Sequence, residues 1–152
     1  MCIRDRLGIP FSNAYKENLE KEIAPLDNVF FHQGVPPHEL LAYTASADIG
    51  AYLTLKTNRN HELTIGNKLF EYLHAGLPIL SSDLIMTREI IDNKLGHILK
   101  EVTPEEIKKG IDTIFKNGKS YYQSAIEEAI NIYNWENQEK IMLDIYDNLK
   151  SK

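Results

Sequence analysis

Cysteine is nearly absent from this chain, since Cys2 is the only one in 152 residues. A single cysteine cannot close an internal disulfide, which excludes a disulfide-stapled scaffold and makes a reducing, cytoplasmic location the expected one. Long apolar runs are also missing, and none approaches the roughly 20 residues of a membrane-spanning helix. The sequence therefore predicts a globular domain that forms its core from apolar side chains alone.

An excess of positive charge is missing too, because 17 Lys and Arg face 22 Asp and Glu, for a net charge of -5. General nucleic-acid binders are usually basic, so we expect no nucleic-acid partner. The five histidines are scattered, and "HELTI" lacks the second His of a zinc-protease helix, so we expect no metal and no cofactor. No G-x-S-x-G, Walker or G-x-G-x-x-G motif occurs, and no catalytic residue is assigned.

Short apolar segments alternate with segments of helical spacing through the first 100 residues. The predicted buried strands are 28–32, 48–53, 77–82 and 96–100, and the predicted helices between them are 13–23, 37–46, 67–75 and 86–93. Such alternation predicts an α/β fold, a Rossmann-like parallel sheet with helices on both faces. Three C-terminal helices follow, at 103–117, 120–133 and 135–150, and we expect them to pack on the sheet.

The beginning of the chain fits this pattern poorly. "MCIRDRLGIP" offers no clean strand, although a strand would normally precede the helix at 13–23. We therefore expect residues 1–152 to form one α/β domain that lacks its first strand, and residues 1–6 not to be native sequence.

The segment "TIGNKLFEYLHAGLPILSSD", residues 64–83, is the best candidate for a binding site. A helix that begins near Gly66 would present free backbone N–H groups at residues 66–69, beside the positive end of its dipole. Gly66 would let a ligand approach the backbone, and Lys68 and Glu71 would share one helix face. The alternative is an ordinary helix with a solvated Lys68–Glu71 ion pair, which periodicity alone favours.

Two longer segments carry a family resemblance. "NVFFHQGVPPHELLAYTASADIGAYL" followed by "IGNKLFEYLHAGLPILSSD" resembles the C-terminal, nucleotide-sugar-binding domain of the group 1 glycosyltransferases, which is half of a GT-B fold. The resemblance rests on the order and spacing of several short motifs over roughly residues 28–100. It implies transfer of a sugar from a nucleotide-sugar to an acceptor that is a glycan, a lipid-linked molecule or a small molecule.

The resemblance also implies roles for individual residues. Gly34 and Val35 would lie beside the nucleotide base, and Leu40 would pack near the base or the ribose. Residues 66–68, which are Gly66, Asn67 and Lys68, would surround the diphosphate. Glu71 matches the second Glu of the family's Glu-x7-Glu motif, whose partner is the ribose.

The chain departs from the family's pattern in two respects. Leu63 stands where the motif has its first Glu, which faces the transferred sugar, and Glu62 is the nearest carboxylate and the candidate substitute. The N-terminal acceptor domain of the family is missing, so the chain is expected to be a fragment that is inactive alone. Peripheral membrane contact belongs, on this interpretation, to the full-length enzyme.

Two hypotheses of different classes therefore remain. The first is the donor-binding domain of a glycosyltransferase. The second is a non-catalytic α/β interaction module that has lost the sugar site, which the leucine at position 63 would favour.

Overall fold

The computed structural model describes residues 4–8, 12–92 and 94–150. Five strands and eight helices lie in this part of the chain. The strands are β1 Arg4–Gly8, β2 Val29–Gln33, β3 Gly50–Tyr52, β4 Ile79–Ser82 and β5 Gly96–Leu99. The helices are α1 Asn13–Ile23, α2 Pro37–Ala45, α3 Arg59–Leu63, α4 Asn67–His74, α5 Ile85–Ile90, α6 Pro104–Asn117, α7 Lys119–Ile132 and α8 Trp135–Lys150.

The chain divides into two compact units, Met1–Leu40 and Leu41–Lys152. In the first unit, β1 pairs with β2 in parallel, from Arg4 opposite Val29 to Gly8 opposite Gln33. The prediction that residues 1–10 hold no clean strand is therefore wrong at β1, because pairing with a neighbouring strand overrides the weak β-propensity of "RDRLG". Residues 1–3 and 9–11 lie outside the described residues.

The prediction of a buried strand at 28–32 is also wrong in part. Within the first unit, no residue of β2 is fully buried, and Phe30 is 45% exposed. A two-stranded sheet has two edges and offers little covering surface, so its apolar side chains stay half-open to solvent.

The second unit is built on a three-stranded parallel sheet in the order β3-β4-β5. Gly50 lies opposite Ile79, and Leu80 lies opposite His97. Since alternate residues of a strand point to opposite faces, Gly50 and Leu80 mark the two faces of the sheet. The backbone of Gly50 lies against Tyr72 of α4, whereas Leu80 lies against Gly110 of α6. Helices therefore cover both faces, as predicted for a Rossmann-like fold.

The core of the second unit surrounds β4, whose four residues are all buried. Apolar side chains from α4, α6 and α7 complete it, and each of these is at most 5% exposed: Leu69, Leu73, Ile114, Tyr122, Ile126 and Ala129. Burial of each large apolar side chain is worth about 1.5–3 kcal/mol, so this cluster is the main source of the unit's stability.

Two predictions about helices fail. No element was predicted between the strand at 48–53 and the helix at 67–75, but residues 59–63 form α3. Asn58 caps this helix by accepting a hydrogen bond from the His61 N–H at 3.0 Å. The predicted packing of α8 on the sheet is wrong, because its apolar side chains are exposed; Ile145, for example, is 57% exposed. Among the described residues, no helix is long and apolar enough to cross a membrane.

Candidate functional site

The start of α4 is held by a tyrosine at the end of β3. The Gly66 N–H donates a hydrogen bond to the Tyr52 hydroxyl at 2.9 Å. The Tyr52 side chain is almost fully buried, with 8% of the residue exposed. The tyrosine therefore reaches from the C-terminal edge of the sheet to the first turn of the helix. Sequence analysis missed this residue, because only the tertiary fold brings positions 52 and 66 together.

The Tyr52 ring lies close to the backbone of Gly66. A Cβ at this position would lie 3.1 Å from the Tyr52 hydroxyl and 3.1 Å from its ring carbon Cε2. Contacts that short are tighter than ordinary van der Waals packing, so a Cβ at this position would require the tyrosine ring to shift slightly. Tyr52 is therefore one neighbour of Gly66, and the approach of a ligand to the same backbone stays a prediction.

Two backbone N–H groups at the start of α4 point to no acceptor. The predicted set was residues 66–69, but the Gly66 N–H is taken by Tyr52, and the Leu69 N–H donates to the Gly66 carbonyl at 3.1 Å. Within the described part of the chain, the N–H groups of Asn67 and Lys68 have no hydrogen-bond partner. These are the orphan donors expected at a helix N-terminus, where the dipole is positive.

Lys68 and Glu71 lie on the side of α4 that faces away from the core. Lys68 is exposed and Glu71 is half-buried, while Leu69 and Leu73 have no exposed surface. Among the described residues, the Lys68 and Glu71 side chains form no ion pair with each other or with any third group. The alternative of a solvated ion pair at this spacing is therefore not what the structure shows.

The charge of Glu71 affects the pKa of the neighbouring Tyr72. The pKa of the Tyr72 hydroxyl is raised, first because the side chain is buried and second because the negative charge of Glu71 disfavours a phenolate beside it. The Tyr72 hydroxyl donates to the Ala51 carbonyl at 3.4 Å. The pKa of Tyr72 is therefore sensitive to the Glu71 carboxylate, although its hydroxyl bonds the Ala51 carbonyl and not the start of α4.

The loop between β3 and α4 has an internal hydrogen-bond network. His61 Nδ1 lies 2.8 Å from the Thr57 hydroxyl and 3.1 Å from the Leu55 carbonyl oxygen. The Thr64 hydroxyl donates to the Asn60 carbonyl at 2.6 Å. These bonds connect α3 to the residues before and after it at the C-terminal edge of the sheet, where ligands of parallel α/β folds bind.

A charged cluster lies at the same edge, after β4. Arg88 donates two hydrogen bonds to the Asp83 carboxylate, one through Nε and one from Nη2 to Oδ2 at 2.8 Å. Lys56 Nζ lies 3.7 Å from Asp83 Oδ2. The bond from Arg88, more than the nearby charges, lowers the pKa of Asp83. No spacing rule applied to the sequence would have paired Asp83 with Lys56.

The family model of group 1 glycosyl transferases matches residues 8–132 of the 152-residue chain. The chain belongs to this family. Its family membership and its parallel sheet flanked by helices confirm the resemblance on which the sequence analysis relied. A search of curated proteins found no match.

The residues implied by the glycosyltransferase resemblance fall into two groups in the structure. Gly66, Asn67, Lys68 and Glu71 share α4 and its N-cap. The remaining implied residues are Gly34 and Val35, assigned to the base, and Leu40, assigned to the base or the ribose. They belong to the unit Met1–Leu40, and their place beside a nucleotide stays a prediction.

Leu63, which occupies the position of the family's first motif Glu, lies in the last turn of α3. Leu63 is 46% exposed there, and the neighbouring Glu62 is half-buried. The negative charge of Glu62 contributes to the raised pKa of Arg88, after the hydrogen bond and charge of Asp83. The Glu62 carboxylate is therefore near enough to Arg88 to act on its charge, and its predicted role as a substitute sugar contact stays a prediction.

In the part of the chain that the structure describes, the side chains that could bind a metal do not form a cluster. No three His, Cys, Asp or Glu side chains there are placed to hold an ion. The prediction that the glycosyltransferase donor site works without a metal or a cofactor is untested.

Proposed function

We propose that this chain binds the nucleotide-sugar donor of a group 1 glycosyltransferase at the start of α4. Membership of the family supports transfer of a sugar in general. The observation that carries the assignment to this site is the pair of unpartnered N–H groups at Asn67 and Lys68, with two unpaired side-chain charges on the same helix.

The donor's diphosphate is the natural ligand for the helix N-terminus. Two orphan N–H groups and the positive end of the helix dipole favour an anion, and the Lys68 ammonium adds a full positive charge next to it. Lys68 is free to serve a phosphate because no carboxylate among the described residues holds it. Charge-assisted hydrogen bonds of this kind are about twice as strong as neutral ones.

The Glu71 carboxylate lies one turn further along the helix and would accept hydrogen bonds from the ribose hydroxyls. A half-buried carboxylate without a protein partner carries a desolvation cost, which donors from a ligand would offset. Lys68 would thus bind the donor's phosphates at the helix start, and Glu71 would bind the ribose hydroxyls on the side of the helix.

The chemistry follows from the charge that develops as the sugar–phosphate bond breaks. The leaving diphosphate gains negative charge while the sugar becomes oxocarbenium-like, so N–H groups and a lysine at the phosphate stabilise the leaving group. The acceptor would be bound by a preceding domain, so we propose that residues 1–152 bind the donor but do not transfer the sugar by themselves.

Calorimetric titration of the purified chain with UDP, GDP and ADP tests the proposal. We expect one nucleotide to bind, and Lys68→Ala and Glu71→Ala each to weaken its affinity about tenfold or more, the worth of a hydrogen bond to a charged group. Lys116→Ala, which removes an exposed lysine from α6, is the matched control and should bind like wild type. Unchanged affinity in both site variants would show that the nucleotide binds elsewhere.

The exposed leucine at position 63 favours a second candidate function, the non-catalytic interaction module. That function predicts a folded chain that binds none of the three nucleotides. Circular dichroism and a cooperative thermal transition on the same sample would separate this result from simple misfolding.

A further inference from the structure

We infer that Tyr52 is a positioning residue for the donor site, because its hydroxyl fixes the first turn of α4 and so sets where the free N–H groups point. The inference rests on the proposed donor function. It assigns a role to a residue in β3, the strand before the site, whose side chain reaches the first residue of the helix turn.

Tyr52 makes hydrogen bonds through its backbone as well as through its hydroxyl. Its backbone carbonyl accepts a hydrogen bond from the Ser82 hydroxyl at 3.3 Å, which ties β3 to the end of β4. The same Ser82 oxygen accepts the Thr54 N–H at 3.0 Å, so the chain on both sides of Leu53 is fixed to one serine. With its backbone and its ring immobilised, the tyrosine presents its hydroxyl at a defined point.

The helix start needs this external partner. The N-cap of α4 is Gly66, which has no side chain to cap the first turn. The N-cap N–H is the group that a glutamate of the helix satisfies in a capping box, and here the Tyr52 hydroxyl accepts it at 2.9 Å. Glycine allows the Tyr52 ring to come close to the helix start, and the hydrogen bond then sets the direction of the Gly66 N–H.

Fixing Gly66 has a direct consequence for the two residues that follow it. The Asn67 and Lys68 N–H groups are the next two donors along the same turn, so their directions depend on the orientation of the Gly66 peptide. Hydrogen bonds weaken steeply as their angle departs from linear, and a ligand bound through two of them is sensitive to a small rotation of the turn.

Two conservative variants test the inference on the purified chain. Tyr52→Phe keeps the buried ring and removes the hydroxyl that meets Gly66. Tyr72→Phe is the matched control, since it removes another hydroxyl from the same neighbourhood, one that bonds the Ala51 carbonyl and not the helix start. With whichever of UDP, GDP and ADP binds wild type, we expect Tyr52→Phe to raise the Kd about three- to tenfold, as the loss of one hydrogen bond predicts, and Tyr72→Phe to leave it unchanged.

Amide NMR supplies a readout that a general loss of stability would not move. In Tyr52→Phe, the Gly66 amide should exchange with solvent faster than in wild type, and the shifts of the Asn67 and Lys68 amides on nucleotide addition should shrink, while amides of α6 stay unchanged. Gly66→Ala gives a second, independent disturbance, because its Cβ presses on the Tyr52 ring while the hydroxyl remains, and it should weaken binding as well.

The outcomes separate this inference from the proposed function. If wild type binds, Lys68→Ala binds weakly and Tyr52→Phe binds like wild type with unchanged Asn67 and Lys68 amides, the donor site stands and the role of Tyr52 is overturned. If folded wild type binds none of the nucleotides, the proposed function fails and the role of Tyr52 fails with it.

Discussion

Arg88 donates two hydrogen bonds to the Asp83 carboxylate, across the first turn of α5. The pair connects the residue after β4 to the helix that follows, and Lys56 approaches the same carboxylate from the loop after β3. Asp83 thereby joins the ends of two neighbouring strands at the edge where the donor site is proposed. Its charge should therefore matter to the local structure at neutral pH.

We predict that Asp83→Asn lowers the melting temperature by about 1–3 °C at pH 7, a small effect because the pair is partly exposed. The pKa of Asp83 is lowered in the fold, so its contribution is present above the unfolded-state pKa and is lost as pH falls through the folded-state pKa. The variant and wild type should converge in acid. Asp112→Asn, at an exposed carboxylate on α6, is the control and should change the melting temperature less.

Glu71→Gln should lower the pKa of the Tyr72 hydroxyl without returning it to its ordinary value. The substitution removes the smaller cause of the raised pKa, the negative charge, and leaves the larger cause, burial. Ultraviolet or NMR titration of the tyrosines, with Tyr72→Phe to identify the signal, measures the shift. A Tyr72 pKa that does not respond would mean that the Glu71 carboxylate lies away from the ring.

Gly96→Ala should destabilise the fold by about 2–3 kcal/mol or more, because the new Cβ would overlap the backbone carbonyl of Ile79 and the strand cannot yield without losing its pairing. Gly110→Ala is the contrasting variant. Its Cβ would meet the Leu80 side chain, which can shift, and alanine is favoured over glycine in a helix by about 1 kcal/mol. Urea denaturation should therefore rank Gly110→Ala as the milder change.

Ile126→Ala in α7 should cost about 2–5 kcal/mol, since this side chain is 2% exposed and its removal leaves a cavity. Ile145→Ala in α8 removes the same atoms from a residue that is 57% exposed and should change stability by less than about 0.5 kcal/mol. Equal losses in the two variants would show that α8 packs against the core in solution.

The sequence predicts those elements whose signal is local. The α4 segment carries an apolar stripe, a glycine before it and Gly-Leu-Pro after it, and its predicted bounds of 67–75 differ from Asn67–His74 by one residue. β4 and β5 were predicted within two residues for the same reason, because each is a short apolar run between turn residues.

What the sequence could not predict depends on contacts between distant positions. β1 has little intrinsic β-propensity and exists through its pairing with β2. The Tyr52–Gly66 and Lys56–Asp83 contacts join residues on different elements, and no periodicity relates them. The apolar stripe of α8 predicted burial, which is wrong, because a stripe does not say whether a neighbouring element is present to cover it.

The parallel sheet has a consequence for how the second unit forms. No two of its strands are joined by a hairpin, because α3 and α4 separate β3 from β4 and α5 separates β4 from β5. Every strand pair must therefore close a long loop before any ladder bond stabilises it, a property that slows folding. The β4–β5 pair has the shorter connection, so we expect it to nucleate the unit, with β3 and the start of α4 joining late on the folding pathway.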